Sequence, residues 1–392
     1  MIGRTRGAPA PRVLLCTTNG IGLGHLTRAM AIGRRLPSPL TPVVFTTSQA
    51  VPVVREQGFL VEHLPSPGAV PLDAMDWELL YQQRLAHLLA TYDPAVVLFD
   101  GVHPYLGFLM ATRRRSQRHR RVVWCRRGMW QPGLGATALA RSVHFDAILE
   151  PGDLASPADR GLTAAVEDGA HRVDPVLLCD PAEQRSRAEA CRALGLDPAA
   201  RWALVQLGGG AAGDPSSPLG AALAALRAIP GLRVAVAEST LVPPRDDLPD
   251  DVARIRRYPL APDLSAFDVV LTAAGYNTFH ECLAAAAPTV LVPAERDRDD
   301  QHARARFAAA HGLARCWEER TVDSLRAHVE ALLDPEGATA VRSRLAGWAR
   351  PNGAVAAARL LAEQARATGA AGLDDAGARV ADAPREGPAC GR

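Results

Sequence analysis

Lysine is absent from this chain: all 44 residues counted as Lys or Arg are arginine, a bias that GC-rich codon usage explains better than a functional demand for guanidinium groups. Aromatic residues make up only 5% of the sequence, so Ala, Leu and Val must fill most of the core. An excess of one charge sign is also lacking, since the formal net charge is +2. A balance this close to neutral excludes bulk nucleic acid as the main partner.

The cysteines show none of the spacings that disulfide-rich or zinc-binding domains use. Their number is odd, seven, and no two of them form a C-x-x-C pair. This pattern argues against a disulfide framework and a zinc site, and it favours a reducing compartment. Residues 1–11 are interpreted as a loose leader that lacks the apolar segment of a secretory signal. Because no apolar run approaches the ~18–20 residues of a membrane span, we expect a cytoplasmic protein.

What the sequence does contain is a repeated alternation of apolar runs with helical segments, the pattern of parallel α/β sheets. At 392 residues and 48% apolar content the chain is too long for one ordinary core, so we predict two domains. In each half the first strand runs into a glycine-rich turn. The expected boundaries are an N-terminal domain at 12–172, a linker at 173–187, a second domain at 188–352, a helix at 353–366 that can cross back to the first domain, and a disordered tail at 367–392.

The stretch 268–314 organises the second half of the chain as strand, glycine turn, helix, strand, charged loop and helix. Gly275 ends the turn, Thr278 and Glu281 lie in the helix after it, and Gln301 follows the charged loop. Ligands of parallel sheets collect at the carboxyl ends of strands, where helix N-termini point free N–H groups outward. Two adjacent strand ends with polar side chains therefore predict a binding site.

The first half also has chemically capable side chains at strand ends. His25 follows the first strand and its glycine turn, and Asp100 and His103 follow the central strand at 94–100. Imidazole and carboxylate groups in such positions are candidates for acid–base work near pH 7. The basic run at 113–121 is most simply a solvated surface, with contact to phosphate or to a membrane surface as the alternative.

Together these motifs resemble the MurG-like glycosyltransferases (family 28, GT-B fold). The N-terminal half has Gly22-x-Gly24-His25-x-x-Arg28, similar to the family's glycine–histidine loop, and 208–210 is similar to its diphosphate-side loop. The resemblance covers about residues 12–366. It implies an α/β protein of the GT-B type, with two Rossmann-like, doubly wound domains that face each other across a cleft. The matching positions in the nucleotide-sugar-binding half are Gly275, Thr278, Glu281, Pro293 and Gln301.

The resemblance also implies roles for individual residues. Glu281 would accept hydrogen bonds from both ribose hydroxyls of the donor. The amides after Gly275 would face its diphosphate, Gln301 would contact a sugar hydroxyl, and the backbone near Tyr258 would hold the base. In full, the implied donor-binding residues are Gly22, Gly24, Gly208, Gly209, Gly210, Tyr258, Gly275, Tyr276, Asn277, Thr278, Glu281, Gln301 and Arg304.

His25 is the leading candidate for the catalytic base, with Asp100 and His103 in reserve. An inverting sugar transfer needs a base that takes the proton of the acceptor hydroxyl. The alternative for His25 is a structural imidazole that only hydrogen-bonds the glycine loop. The acceptor is expected against the first half, near Arg28, Arg127 and Trp130.

Three features leave alternative interpretations of the donor site. Arg304 stands where the family usually has Asn, so its guanidinium would bind a phosphate or a carboxylated sugar, or would point to solvent. Gly210 replaces a Ser that often contacts phosphate, which would leave that contact to backbone amides. Thr278-x-x-Glu281 can equally be a capping box that needs no ligand.

The leading function is an inverting, metal-independent glycosyltransferase that uses a UDP-linked donor. Asp297-Arg298-Asp299 has the spacing of a metal-binding pair, but we interpret it as surface, and we expect no cofactor besides the nucleotide sugar. A related hydrolase that delivers water, and a scaffold that binds a nucleotide sugar as a signal, are the alternatives. The acceptor is a lipid, a glycan or a small metabolite, and the oligomeric state stays open. The arginines at 113–121 favour slightly a cytoplasmic protein that is peripheral to the inner face of the membrane.

Overall fold

The structure is a computed structural model that describes residues 10–18, 23–113, 119–207, 214, 216–241 and 243–369. Its N-terminal domain is a parallel sheet with helices on both faces. The strands of this sheet are β1 Arg12–Thr17, β2 Thr41–Thr46, β3 Leu60–His63, β4 Val96–Asp100, β5 Arg121–Cys125, β6 Ala147–Pro151 and β7 His171–Val173. The helices between them are α1 Gly24–Gly33, α2 Val51–Glu56, α3 Ala74–Tyr92, α4 Leu106–Thr112 and α5 Ala136–Leu139.

The second domain repeats this architecture. Its strands are β8 Arg201–Gln206, β9 Leu232–Ala237, β10 Ala253–Ile255, β11 Val269–Thr272, β12 Thr289–Leu291 and β13 Arg315–Cys316. Its helices are α6 Arg187–Leu194, α7 Pro218–Arg227, α8 Tyr276–Ala284, α9 Gln301–Ala310, α10 Val322–Leu333 and α11 Pro335–Gly347. The last described helix is α12 Gly353–Arg366.

The strand orders are β3-β2-β1-β4-β5-β6-β7 in the first sheet and β10-β9-β8-β11-β12-β13 in the second, with parallel pairing throughout. The central strands are buried over nearly their whole length, because helices cover both faces of each sheet. These two doubly wound sheets confirm the predicted GT-B fold. In each sheet the order reverses at one point, between β1 and β4 and between β8 and β11, and such points are where open parallel sheets bind ligands.

The chain crosses between the domains twice, and the two crossings lie side by side. After α11 the chain returns, and α12 packs against α1 and against strands β4 to β7 of the first domain. Asn352, which caps α12, pairs with the first crossing, since its Oδ1 accepts from Leu177 N at 3.0 Å and its Nδ2 donates to Leu177 O at 3.0 Å. Gly353 N donates to Pro175 O at 2.9 Å, and a Cβ on Gly353 would lie only 1.8 Å from Asp174 O.

The short edge strands are the elements that the sequence analysis missed. β7 has three residues, the last of which, Val173, falls in the expected linker. β13 has only two residues. Strands this short are below the length at which a period of two can be recognised. The expected leader and tail lie almost wholly outside the described residues. Among the described helices, none is long and apolar enough to cross a membrane.

Candidate active site

His25, Asp100 and Arg28 form a compact group at the switch point of the first sheet. His25 Nδ1 lies 2.6 Å from Asp100 Oδ1, and the guanidinium of Arg28 donates to both carboxylate oxygens, at 3.0 Å from Nε and 2.5 Å from Nη2. Asp100 is fully buried and ends β4, while His25 and Arg28 lie in the first turns of α1. The His25 side chain is 14% exposed, which leaves one edge of the ring reachable.

Burial of this group favours a neutral imidazole, with a pKa below the ordinary histidine value. Burial, and then the positive charges of Arg28 and Arg127, lower the pKa of His25 against the opposing pull of Asp100. Burial alone would raise the pKa of Asp100, but Arg28 and His25 outweigh it and hold that carboxyl ionised. His25 Nδ1 also lies 2.8 Å from Arg28 Nη2, which can only donate. We assign the proton to Nδ1 because an ionised Asp100, at 2.6 Å, can only accept, and this tautomer leaves the lone pair of Nε2 free to take a proton.

His103 is not part of this group. It is half-buried, and burial followed by the charges of Arg141 and Arg298 lowers its pKa. Within the described part of the chain no hydrogen bond joins it to His25 or Asp100. Arg28, expected on the acceptor side, is only 2% exposed, and its guanidinium forms an ion pair with Asp100. It therefore positions the carboxylate instead of offering a free cation to an acceptor.

The N-termini of α1 and α8 face each other across the cleft. Asn277 Nδ2, in the first turn of α8, donates to Gly24 O at the start of α1 at 3.1 Å. Gly275 and Leu23 precede the two helices without a side-chain cap, and neither first turn contains an acid. Every other described helix of eight or more residues has a capping side chain that accepts from its first turn: Asp73, Ser186, Ser217, Asp300, Thr321, Asp334 and Asn352. Two uncapped, opposed helix ends create a positive potential that suits an anion.

Glu281 lies further along α8 and is half-buried. α8 begins at Tyr276, so Thr278 is inside the helix and is not its N-cap, which excludes the capping-box alternative. Among the described residues the Glu281 carboxylate has no hydrogen-bond partner, and burial raises its pKa to about 7. A half-buried carboxylate without a protein partner can accept hydrogen bonds from donors that a ligand supplies.

Tyr258 and Tyr276 connect the domains through their hydroxyl groups. The Tyr258 hydroxyl lies 2.7 Å from Thr27 Oγ1 of α1. The Tyr276 hydroxyl accepts from Val176 N at 3.0 Å and donates to Gly152 O at 2.9 Å. Their side chains thus fix the domain arrangement, and only their backbone is available for the donor contacts expected of them.

Arg304 differs from both expectations, since it neither reaches an open donor site nor points to solvent. The side chain is fully buried and donates to Asp153 Oδ2 at 2.9 Å, Ala274 O at 2.7 Å and Asp299 Oδ1 at 3.0 Å. The interpretation of Asp297-Arg298-Asp299 as surface is wrong for Asp299, which is 8% exposed. Buried arginine charge requires such carboxylate partners.

The two remaining residues expected on the acceptor side, Arg127 and Trp130, also contact other residues of the protein. Arg127 Nη1 lies 2.5 Å from Asp299 Oδ1, across the domain boundary. Trp130 is 1% exposed and packs beside Trp124, with ring centroids 6.5 Å apart. Trp130 is therefore a core residue next to the cleft and not part of its open surface.

Asp153 and Asp299 are structurally central residues that the sequence analysis did not single out. Asp153 comes two residues after β6, and an acid at a strand's carboxyl end is the signal that could have identified it. Gly22, Gly208, Gly209 and Gly210 lie outside the described residues. Within the described ranges, no group of three or more His, Cys, Asp or Glu side chains could hold a metal ion.

Comparisons with known proteins agree with this fold. Residues 256–354 match the glycosyltransferase family 28 C-terminal domain. A spinosyn rhamnosyltransferase is 20% identical, with 91% of this chain and 100% of that one covered at a TM-score of 0.57. The glycotransferase of kitacinnamycin is 19% identical over 91% and 100% of the two chains, at a TM-score of 0.57. MurG of Acinetobacter baumannii is 16% identical over 90% and 100%, also at 0.57.

A search of curated protein sequences gave no match. Identities below 25% establish the shared fold and no more. The family match covers the part of the chain that contains α8, Glu281 and Gln301, and together with the fold it supports glycosyltransferase activity.

Proposed function

We propose that this chain is an inverting, metal-independent glycosyltransferase that moves a sugar from a nucleoside diphosphate donor, expected to be UDP-linked, to a hydroxyl acceptor. The observation that carries the proposal is the opposition of the uncapped N-termini of α1 and α8 beside the His25–Asp100 pair. This arrangement supports an anion site next to a base, which is what the reaction needs.

The donor is proposed to lie along α8. The amides that follow Gly275 bind the diphosphate, helped by the helix N-terminus. Glu281 accepts from the two ribose hydroxyls, for which its unpartnered carboxylate is suited. Gln301, whose Nε2 lies 3.7 Å from the point where a Cβ on Gly275 would stand, contacts a sugar hydroxyl above the diphosphate.

The reaction follows from the free lone pair of His25. Nε2 takes the proton of the acceptor hydroxyl as its oxygen attacks the anomeric carbon on the face opposite the diphosphate. The bond between that carbon and the diphosphate oxygen breaks, so the configuration inverts and the nucleoside diphosphate leaves with both electrons. Asp100 stabilises the imidazolium that forms, and the two helix ends stabilise the leaving charge.

The acceptor is proposed to be a lipid, a glycan or a small metabolite that approaches from the first domain. Exposed apolar side chains on α3 and α4, namely Met75, Leu79, Leu106 and Met110, support contact with a membrane surface. Arg113 caps α4 at its C-terminal end and adds positive charge near them. Flotation with anionic lipid vesicles tests this contact, and recovery of all protein in the vesicle-free fraction would argue for a soluble acceptor.

Thermal unfolding in the presence of UDP, dTDP, GDP and their glucose derivatives tests the donor. A ligand that binds only the folded state raises the midpoint, and the best pair identifies base and sugar together. The dTDP compounds belong in the screen because one structural neighbour, a spinosyn rhamnosyltransferase, is complexed with thymidine diphosphate. No shift with any nucleotide would refute the proposal.

A second assay separates transfer from hydrolysis. The preferred nucleotide sugar is incubated without an acceptor, and free sugar is measured against released nucleotide. Fast stoichiometric release of free sugar would establish a hydrolase of the same fold, whereas a transferase releases little until an acceptor is added.

A further inference from the structure

Asp299 lies where the two domains and the proposed sugar contact meet. Its Oδ1 is 2.5 Å from Arg127 Nη1 of the N-terminal domain and 3.0 Å from Arg304 Nη2. Its Oδ2 accepts from Gln301 Nε2 at 3.3 Å. One largely buried carboxylate therefore contacts the opposite domain and the sugar-side amide at the same time.

Arg304, which lies in the same domain as Asp299, holds this carboxylate in place. Its guanidinium also donates to Asp153 Oδ2 and to the carbonyl of Ala274, the residue before Gly275. Asp153, Arg304, Asp299 and Arg127 form an alternating row of charges that sums to zero. Each of the two inner members, Arg304 and Asp299, has an opposite charge on either side, so Asp299 keeps Arg304 as a partner when Arg127 is changed.

The amide of Gln301 is oriented at both ends by its neighbours. Its Oε1 accepts from Ala294 N at 3.1 Å, and one hydrogen of Nε2 goes to Asp299. A side-chain amide nitrogen has two hydrogens, so the second stays available for a ligand above Gly275. The direction of that hydrogen depends on where Asp299 holds the amide.

We propose that Asp299 is a positioning residue through which Arg127, from the N-terminal domain, sets how Gln301 holds the donor sugar. This inference rests on the proposed function of the site. It makes sugar binding depend on contact between the domains, while the ribose and diphosphate contacts of α8 do not depend on Arg127. Arg304 keeps its bonds to Asp153 and Ala274 when Arg127 or Asp299 is changed, so the turn before α8 stays in place.

The test is calorimetric titration of the full chain with UDP-glucose and with UDP, or with the dTDP pair if the wild type prefers it. Arg127→Gln and Asp299→Asn are each expected to weaken binding of the nucleotide sugar by about fivefold or more and to leave binding of the nucleoside diphosphate within about twofold. The double variant is expected to be no weaker than the weaker single variant, because both changes break one interaction. Asp297→Asn, an exposed carboxylate of the same loop, is the matched control and should change neither affinity.

Equal loss for UDP and UDP-glucose, strictly additive losses, or no loss of UDP-glucose affinity in Arg127→Gln would each overturn the inference. If Asp299→Asn does not fold, Arg127→Gln decides alone, since that side chain lies on the other domain and is 11% exposed. A wild type that binds no nucleotide would instead refute the proposed function, so the two failures are distinct.

Discussion

Asn277 reaches across the cleft and donates from Nδ2 to the carbonyl of Gly24 at 3.1 Å. This one bond joins the first turns of α8 and α1, which belong to different domains and different switch points. The space beside it is bordered by backbone N–H groups that no acidic cap occupies. Whether this space binds phosphate can be tested by substituting Gly275, the residue that precedes α8.

Gly275→Ala should fold normally and lose donor affinity. An added Cβ would meet only Gln301 Nε2 at 3.7 Å, so the free chain accommodates it, and the stability cost should stay within about 1 kcal/mol. A phosphate that approaches the backbone closely would collide with this methyl group, which should weaken binding of the nucleoside diphosphate about tenfold or more. Calorimetric titration and thermal unfolding measure the two effects.

Gly347→Ala is the control for that substitution. Gly347 ends α11, and nothing lies within 4 Å of the position where its Cβ would stand. It should change neither stability nor affinity appreciably. Unchanged nucleotide affinity in Gly275→Ala would remove the diphosphate from the N-terminus of α8.

Donor affinity should depend on pH through Glu281. Burial raises the pKa of its carboxyl to about 7, and only the ionised form accepts from both ribose hydroxyls. Affinity for the nucleotide should therefore rise as the pH increases through about 7 and fall below it. Glu281→Gln should bind more weakly at pH 8 and show a much flatter profile between pH 6 and pH 8, as titrations in that range would reveal.

The same substitution should stabilise the protein in the absence of ligand. A carboxyl whose pKa is raised on folding favours the folded state at low pH and loses that contribution as the pH rises toward the folded-state value of about 7. Glu281→Gln has no charge to bury, so at pH 8 its free energy of unfolding should exceed that of the wild type, by on the order of 1–3 kcal/mol. An equal or lower stability at pH 8 would contradict the assigned burial cost.

His25→Gln should reduce turnover without affecting the donor. Loss of a general base lowers the rate by about 10² to 10⁴-fold, whereas the proposed nucleotide contacts lie on α8. Steady-state kinetics and titration with the nucleotide sugar give the two numbers. His87→Ala, an exposed histidine of α3, is the matched control. Full turnover in His25→Gln would exclude His25 as the catalytic base.

The acid limb of the pH–rate profile should move in Arg127→Gln. Burial comes first among the causes that lower the pKa of His25, and the charges of Arg28 and Arg127 add to it, while Asp100 opposes them. At saturating donor, where the titration of Glu281 does not limit the rate, the wild-type rate should therefore fall only below the ordinary histidine value of about 6.5. Removing the Arg127 charge raises the pKa of His25, so the limb should shift to higher pH. An unchanged limb would show that Arg127 does not act on the base, and a shift to lower pH would contradict the assigned sign.

Local pattern was enough to predict the two parallel sheets and the strand-end position of His25, Asp100 and Glu281. The contact between His25 and Asp100 was beyond it, because 75 residues separate them and only the strand order brings β1 beside β4. Asp299 was misjudged for a related reason. A run of charged residues indicates a solvated loop, and the two arginines that bury this acid come from Arg127 of the other domain and from Arg304 of the next helix.

The paired crossings between the domains restrict how the cleft can open. Asn352 and Gly353 bond to residues 175 and 177, so the two connections are fastened to each other at the edge where the chain changes domain. A single connection would allow the domains to rotate about several axes, whereas two connections that are bonded side by side restrict them to a hinge motion. Opening of the cleft then becomes rotation about one axis along these segments.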